Sequence, residues 1–438
     1  MSDQVGAGSA STAGAAVGRS DEPGLVRTMS RKVVALFAVA AGLSVANLYY
    51  IQPLLPMVRH DLHVSTGVAA LATTVSQLGF MLGLLLLLPL GDLVERRRLV
   101  TVLSLACALA LLAAAAAPGI AVLLVALFLV GVTVVIAQVL VPFAATLAPE
   151  HERGRVVGLV MSGLLLGILL ARTVSGLVAE ASNWRVVLYV AAGAMAGVAA
   201  VVRARLPSDV PRTGLSYARL LASLVEIFRS EPVLRRRAAL GALGMGCFNV
   251  LWTAIPFLLA GAPYHYSPAR IGLFGLVGAA GALMASAAGR FADRGMHAQV
   301  TVLATVLLAT SFLPIYLGAH SLVALVAGIV LLDLGVQGLH ITNQSLIYQL
   351  APERRTRINA VYMIFYFLGG SAASGLAAVL YASTGWAGVC AFGAALGTAA
   401  VVAALDGLRR GRAVARAAAP GAPDPPGATT APGTVAAR

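Results

Sequence analysis

Long apolar stretches, separated by short polar breaks, recur along most of the chain. They cover about 33–55, 68–90, 99–117, 120–146, 156–179, 186–202, 238–260, 271–288, 300–317, 321–346, 359–381 and 387–405. Each reaches or approaches the ~20 residues that carry a helix across a bilayer. The runs are continuous rather than alternating, so helices and not barrel strands are predicted. The pattern reads as an all-α integral membrane protein with twelve transmembrane helices.

The polar breaks carry a repeat. The segment LPLGDLVERRR ends at Arg98, and AAGRFADRG ends at Gly295. Leu147-Ala148-Pro149-Glu150 returns as Leu350-Ala351-Pro352-Glu353, and Asn183-Trp184 is echoed by Gly385-Trp386. The pairs Asp92/Asp293, Glu150/Glu353 and Trp184/Trp386 stand 201 to 203 residues apart, in one order. Three anchors at nearly one offset indicate a duplicated unit. Two six-helix bundles related by pseudo-symmetry follow, the layout of a transporter with a central site between its halves.

Hydrophobic residues make up 59% of the chain and charged residues 11%, against about 25% charge in a soluble protein. The net charge of +14 is basic enough to raise the question of nucleic acid, but its distribution argues otherwise. All 31 basic residues except Arg59, Arg172, Arg185 and Arg270 lie in the even-numbered loops and the two tails. This alternation is the positive-inside rule, and it assigns both termini to the cytoplasm. The expected partners are therefore a lipid bilayer, a small-molecule substrate and protons, with no nucleic acid. Cys107, Cys247 and Cys390 all fall in apolar runs and offer neither a disulfide framework nor metal-ligand spacing.

Five segments are expected: a disordered cytoplasmic tail at 1–30, a bundle at 31–205, a cytoplasmic linker at 206–236, a second bundle at 237–408, and a disordered cytoplasmic tail at 409–438. Within the linker, Leu220, Leu221, Leu224, Val225 and Phe228 mark one face of an amphipathic helix. That face predicts a helix lying on the membrane surface, as a coupling rod between the halves or a plain tether. The remaining loops are too short to hold a soluble domain.

The cytoplasmic breaks resemble the motif G-x-L-a-D-R-x-G-R-R of the major facilitator superfamily. Leu90, Gly91, Asp92, Arg96 and Arg97 match in kind, whereas Leu88, Leu93 and Glu95 depart from it. The second copy retains Gly289, Asp293, Arg294 and Gly295. The resemblance implies the major facilitator fold and a latch that closes the cytoplasmic side, with Asp92 and Arg96 in it. Span five is similar to the drug/proton-antiporter motif G-x8-G-x3-G-P-x2-G-G at Gly158, Gly167 and Gly176. It departs at Ala171, Arg172 and Ser175. The LYYIQPLLP segment closing span one also resembles bacterial efflux-type members. A monomer in the bacterial cytoplasmic membrane is implied.

Among the 17 carboxylates, Asp333 alone falls near the middle of a span. An ionisable group there costs ~2.5–3.5 kcal/mol or more, which makes it a functional candidate. Gln337, His340 and Gln344 follow at steps of four, three and four, on one helix face, with Asn343 beside them. Either Asp333 or His340 could carry a proton; the whole stripe could instead be interhelical glue. Arg172 is the basic residue within a span. It could bind an anion, pair with Asp333, or snorkel to the headgroups. Asn47 and Tyr50 in span one, Gln138 in span four, Asn249 and Trp252 in span seven, and Tyr362 and Tyr366 in span eleven complete the candidate cavity lining. Gly163, Gly167, Ala171 and Ser175 form a small-residue face suited to close helix packing.

No phosphate loop, triad or dinucleotide turn stands in a usable loop, so no enzymatic activity and no cofactor are expected. The combined reading is a secondary active transporter that exports a small amphipathic compound by proton-coupled alternating access. Uptake or export of a polar metabolite, such as a sugar or organic anion, and a non-transporting sensor or scaffold are the alternatives.

Overall fold

The computed structural model describes residues 30–208, 216–278, 294–351 and 354–417. Its helices are α1 Arg31–Ala46, α2 Leu55–Asp61, α3 Thr66–Leu86, α4 Arg96–Ala115, α5 Ile120–Thr133, α6 Ile136–Leu147 and α7 Arg153–Ala181. They continue as α8 Trp184–Arg205, α9 Tyr217–Ser230, α10 Pro232–Ala260, α11 Pro268–Leu273, α12 His297–Leu317, α13 Leu322–Ile347 and α14 Arg355–Ala417. No strand occurs among the described residues. Nine helical segments there are long and apolar enough to cross a membrane.

These helices correspond to the predicted spans with local breaks. Span one unwinds at Asn47–Ile51 between α1 and α2, ahead of Pro53, and span four breaks between α5 and α6. Helix α14 holds spans eleven and twelve. It folds back at Gly385, whose φ of 67° is open to glycine but costly for a residue with a Cβ. Span eight starts at Pro268; its continuation through 279–293, with Gly289 and Asp293 of the second motif copy, lies outside the described residues. Residues 409–417 continue α14 where a tail is expected. This Ala/Arg-rich stretch has high helix propensity.

Several helix starts follow from the sequence. Ser65, Asn183, Ser216 and Ser321 each accept a bond from a backbone N–H in the first turn of the following helix, satisfying donors that the helix cannot. Large apolar side chains point outward: Val323 is 81% exposed and Leu109 67%. A lipid surround makes that surface tolerable.

The bundles α1–α8 and α10–α14 meet along α3 against α14 and along α7 against α11. Thr74 Oγ1 lies 2.9 Å from Ser374 Oγ, which lies 2.8 Å from Thr253 Oγ1. Phe80 meets Phe367 edge-on at 4.6 Å. Within the first bundle, Gly163 and Gly167 of the small-residue face pack on Ala38 and Gly42 of α1. Helix α9 packs only part of its apolar face on protein, and Val225 of that face is 52% exposed. Leu220, Leu224 and Ile227 are buried. Tyr217 Oη donates to the Leu86 carbonyl oxygen at 2.8 Å, while Phe228 stacks on Phe365 at 4.4 Å. The helix thus touches α3 of one bundle and α14 of the other.

Candidate functional site

The break in span one sets up the site. Its freed backbone groups need partners in a low-dielectric setting. Asn47 Nδ2 donates back to the Leu43 and Ser44 carbonyls, and Ser175 Oγ of α7 donates to the Tyr50 carbonyl at 2.5 Å. The break also rotates the side chains that follow. Tyr50 packs inside the first bundle near Cys107 of α4. Tyr49 and Gln52 turn to α7 instead, which corrects the placement of Tyr50 in the cavity.

Arg172 occupies the centre of this seam and does not snorkel. It is 4% exposed. Its Nε donates to Gln52 Oε1 at 2.7 Å. Its guanidinium lies 4.0 Å from the Trp252 ring, 4.8 Å from Tyr49 and 5.6 Å from Phe248, so cation–π contacts hold it. On its other side the chain of span eight approaches closely. A Cβ on Gly272 would collide with the Arg172 carbonyl oxygen, and one on Gly275 would sit 2.9 Å from its Cβ. Rings and backbone from the second bundle therefore grip a cation from the first.

Asp333, in α13, is 3% exposed. Trp252 Nε1 faces its carboxylate without closing a hydrogen bond. A Cβ on Gly278 would meet Oδ2 at 3.0 Å. Arg172 and Tyr366 act on Asp333 electrostatically. Both carboxylate oxygens, Arg172 Nη2, Gln52 Nε2 and Trp252 Nε1 have no hydrogen-bond partner among the described residues. Buried polar atoms are ordinarily paired, so this concentration of free donors and acceptors marks a place built for a ligand or for proton exchange.

Other predicted cavity residues are committed elsewhere. Asn249 is fully buried and exchanges two bonds with Gln77 of α3, at 2.8 and 2.6 Å. It clasps the bundles together rather than lining an open space. Asn343 is also fully buried. It accepts from Arg237 at 3.4 Å and donates to Tyr362 Oη at 3.5 Å, inside the second bundle. His340 Nδ1 lies 3.1 Å from Tyr362 Oη, with the Tyr366 ring tilted against it at 4.8 Å. Gln344 donates to Asn359 at 3.3 Å. The lower part of the stripe thus knits α13 to α14, as glue would. Gln337 and Gln138 are partly buried and make no side-chain hydrogen bond among the described residues. Asn47 keeps a free Oδ1.

The first-copy motif sits at the end of the bundle nearest the termini. Arg96 donates to the Gly91 carbonyl at 3.0 Å and to Thr146 Oγ1 at 2.9 Å, with Asp92 at 3.7 Å. Arg97 binds Glu95 at 2.9 Å and the Leu206 carbonyl at 3.3 Å. Arg357 of α14 acts on Asp92 from the other bundle. Gly91, Asp92, Arg96, Thr146 and Arg357 border a cleft of about 440 Å³ that Leu220 and Leu224 of α9 also line. Arg294 is exposed.

The family model of the Major Facilitator Superfamily matches this sequence at residues 37–312 and again at 264–432. The chain belongs to that superfamily. As a major facilitator protein it is similar to the uncharacterized transporter YgaY of Escherichia coli O157:H7, at 46% identity over 84% of this chain and 93% of the relative. Among solved structures it is similar to a bacterial homolog of the human lysosomal transporter Spinster, inward-facing and occupied. The TM-score there is 0.71 and the identity 12%, over 87% of this chain and 96% of that one. It is also similar to the peptide transporter POT bound to sulfate, with TM-score 0.70 and identity 18%, over 88% and 95% of the two chains. At those identities the structures establish the fold alone. The chain is a multi-pass membrane transporter with the major facilitator fold.

Proposed function

We propose that this transporter is proton-coupled and works by alternating access, with Asp333 as the proton-bearing group and Arg172 as its counter-charge in the interbundle site. One observation carries the reading. Among the described residues, the two charged side chains that are buried have opposite signs and come from opposite bundles. A charge at that depth costs ~2.5–3.5 kcal/mol or more, which packing alone does not offset. A carboxyl that takes up and releases a proton during the cycle lets the pH gradient act, at about 1.4 kcal/mol per pH unit. The motif at Asp92 and Arg96, facing Arg357, serves as the latch at the cytoplasmic end. The termini lie in the cytoplasm, and one chain is the working unit. His340, tied to Tyr362, is a positioning group rather than the carrier.

The aromatic wall of Tyr49, Phe248 and Trp252 supports an apolar portion in the substrate. The partial glycine motif of α7 supports export of an amphipathic compound as a second reading. Arg172 in that wall favours an acidic or polar group on the substrate instead.

The test uses proteoliposomes containing a pH dye, challenged with small acids, amines and neutral solutes. Wild type should move protons with at least one solute. Asp333→Asn should lose that proton movement while still binding the solute, and His340→Gln should retain it. Full proton movement in Asp333→Asn, with loss in His340→Gln, would reassign the carrier. If neither variant differs from wild type, the proposal fails.

A further inference from the structure

The two buried charges also select the charge class of the substrate, provided Asp333 is the proton-bearing group. We infer that this transporter carries a small organic monoanion together with one proton, so that the interbundle site reorients electrically neutral.

The argument is a charge balance. Arg172 stays positive. With Asp333 ionised, the empty site sums to zero. A bound cation would leave it at plus one, a monoanion alone at minus one, and a proton alone at plus one. Moving an uncompensated charge through the closed, low-dielectric state slows reorientation on the order of a hundredfold. Of these states, the empty site and the site holding both anion and proton avoid this. That is the condition for the two to cross in the same direction. A neutral or zwitterionic solute also leaves the sum at zero, but it would need no proton and would leave Asp333 without work. Net movement then follows the gradient of the undissociated acid, so export occurs when acid accumulates inside.

The free atoms agree with an anion. Arg172 Nη2 and Gln52 Nε2 are two donors without partners, while Trp252 Nε1 faces Asp333. A carboxylate is an acceptor-only group that takes such donors. The bond from Arg172 Nε to Gln52 Oε1 orients that amide, so that the NH₂ end is the free one. The groups that face Asp333 are Arg172 from α7, Trp252 from α10 and Tyr366 from α14. On its own helix, His340 lies seven residues on, about 10 Å along the axis, and is held by Tyr362. No other carboxylate is buried among the described residues.

The test uses the purified full-length protein in weakly buffered detergent solution, with intrinsic tryptophan fluorescence reporting binding and a pH dye reporting proton exchange. The probes are benzoate and pyruvate as monoanions, benzylammonium as a cation and benzyl alcohol as a neutral counterpart. At least one anion should bind with uptake of about one proton, and its affinity should fall about tenfold per pH unit once Asp333 is ionised. Benzylammonium and benzyl alcohol should bind about a hundredfold more weakly. Asp333→Asn should bind the anion without proton uptake and without pH dependence. Arg172→Gln should lose anion binding, and Arg172→Lys should restore both binding and proton uptake. Binding of neither anion, or anion binding without proton uptake in wild type, overturns the inference. Benzylammonium binding with proton release, abolished in Asp333→Asn, would overturn it while leaving Asp333 as the proton carrier. No proton exchange with any probe would sink both.

Discussion

Replacing Gln77 with leucine should open the end of the transporter away from its termini. Gln77 is 2% exposed and Asn249 is fully buried. Their amides exchange two short bonds, at 2.8 and 2.6 Å, between α3 of one bundle and α10 of the other. When the bundles part, both amides can hydrate. In the closed state, Gln77→Leu leaves the Asn249 amide without its partner, at ~1–3 kcal/mol for a buried polar group left unsatisfied. The penalty applies only to the closed state, so the open-to-closed ratio should rise about 5- to 150-fold. The double variant Gln77→Leu, Asn249→Leu removes both partners, and an apolar pair of similar shape is nearly neutral. It should therefore return toward the closed population. Spin labels at Ala116 and His320, both exposed in turns at that end of opposite bundles, read the separation by pulsed electron paramagnetic resonance. The native cysteines are buried and should take up little label. An unchanged distance distribution in Gln77→Leu would refute the reasoning. So would a double variant as open as the single one, since the clasp would then be ordinary packing.

Asp92→Asn removes the charge that faces Arg96 and Arg357. The population should shift several-fold toward states open at the cytoplasmic end, with reduced transport at near-normal expression; full transport would reduce Asp92 to a topology residue. Cysteines introduced at His63 and Gly385 should react with an impermeant reagent in intact cells, and one at Arg229 should not. Labelling at 229 would reverse the assigned orientation.

The apolar runs made the spans legible because a bilayer leaves a helix few alternatives. The two buried charges were legible for the same reason: Asp333 and Arg172 are the ionisable residues set within long apolar runs, and both are buried. Their partners were harder to read. Tyr49 and Gln52 face Arg172 only because span one unwinds at Asn47–Ile51, which breaks the 3.6-residue period that pointed to Tyr50. Proline at position 53 was the available signal for that break. Gln77 pairs with Asn249 across 172 residues, and no local pattern reveals a single amide's distant partner. The amphipathic face of α9 was visible, but hydrophobic periodicity does not distinguish a lipid surface from a protein one.

The polar stripe of α13 shows why assigning residues to a cavity from sequence has a definite limit. Lipid would leave Asp333, Gln337, His340, Asn343 and Gln344 unsatisfied, so each must face something polar. A cavity and a neighbouring helix meet that requirement equally well. Tyr362 and Asn359 of α14 satisfy His340, Asn343 and Gln344, while the Asp333 oxygens keep no hydrogen-bond partner among the described residues. What separates glue from site is therefore not polarity or depth, which the stripe residues share. It is the residual hydrogen-bonding capacity after packing, and that quantity exists only once the helices have met.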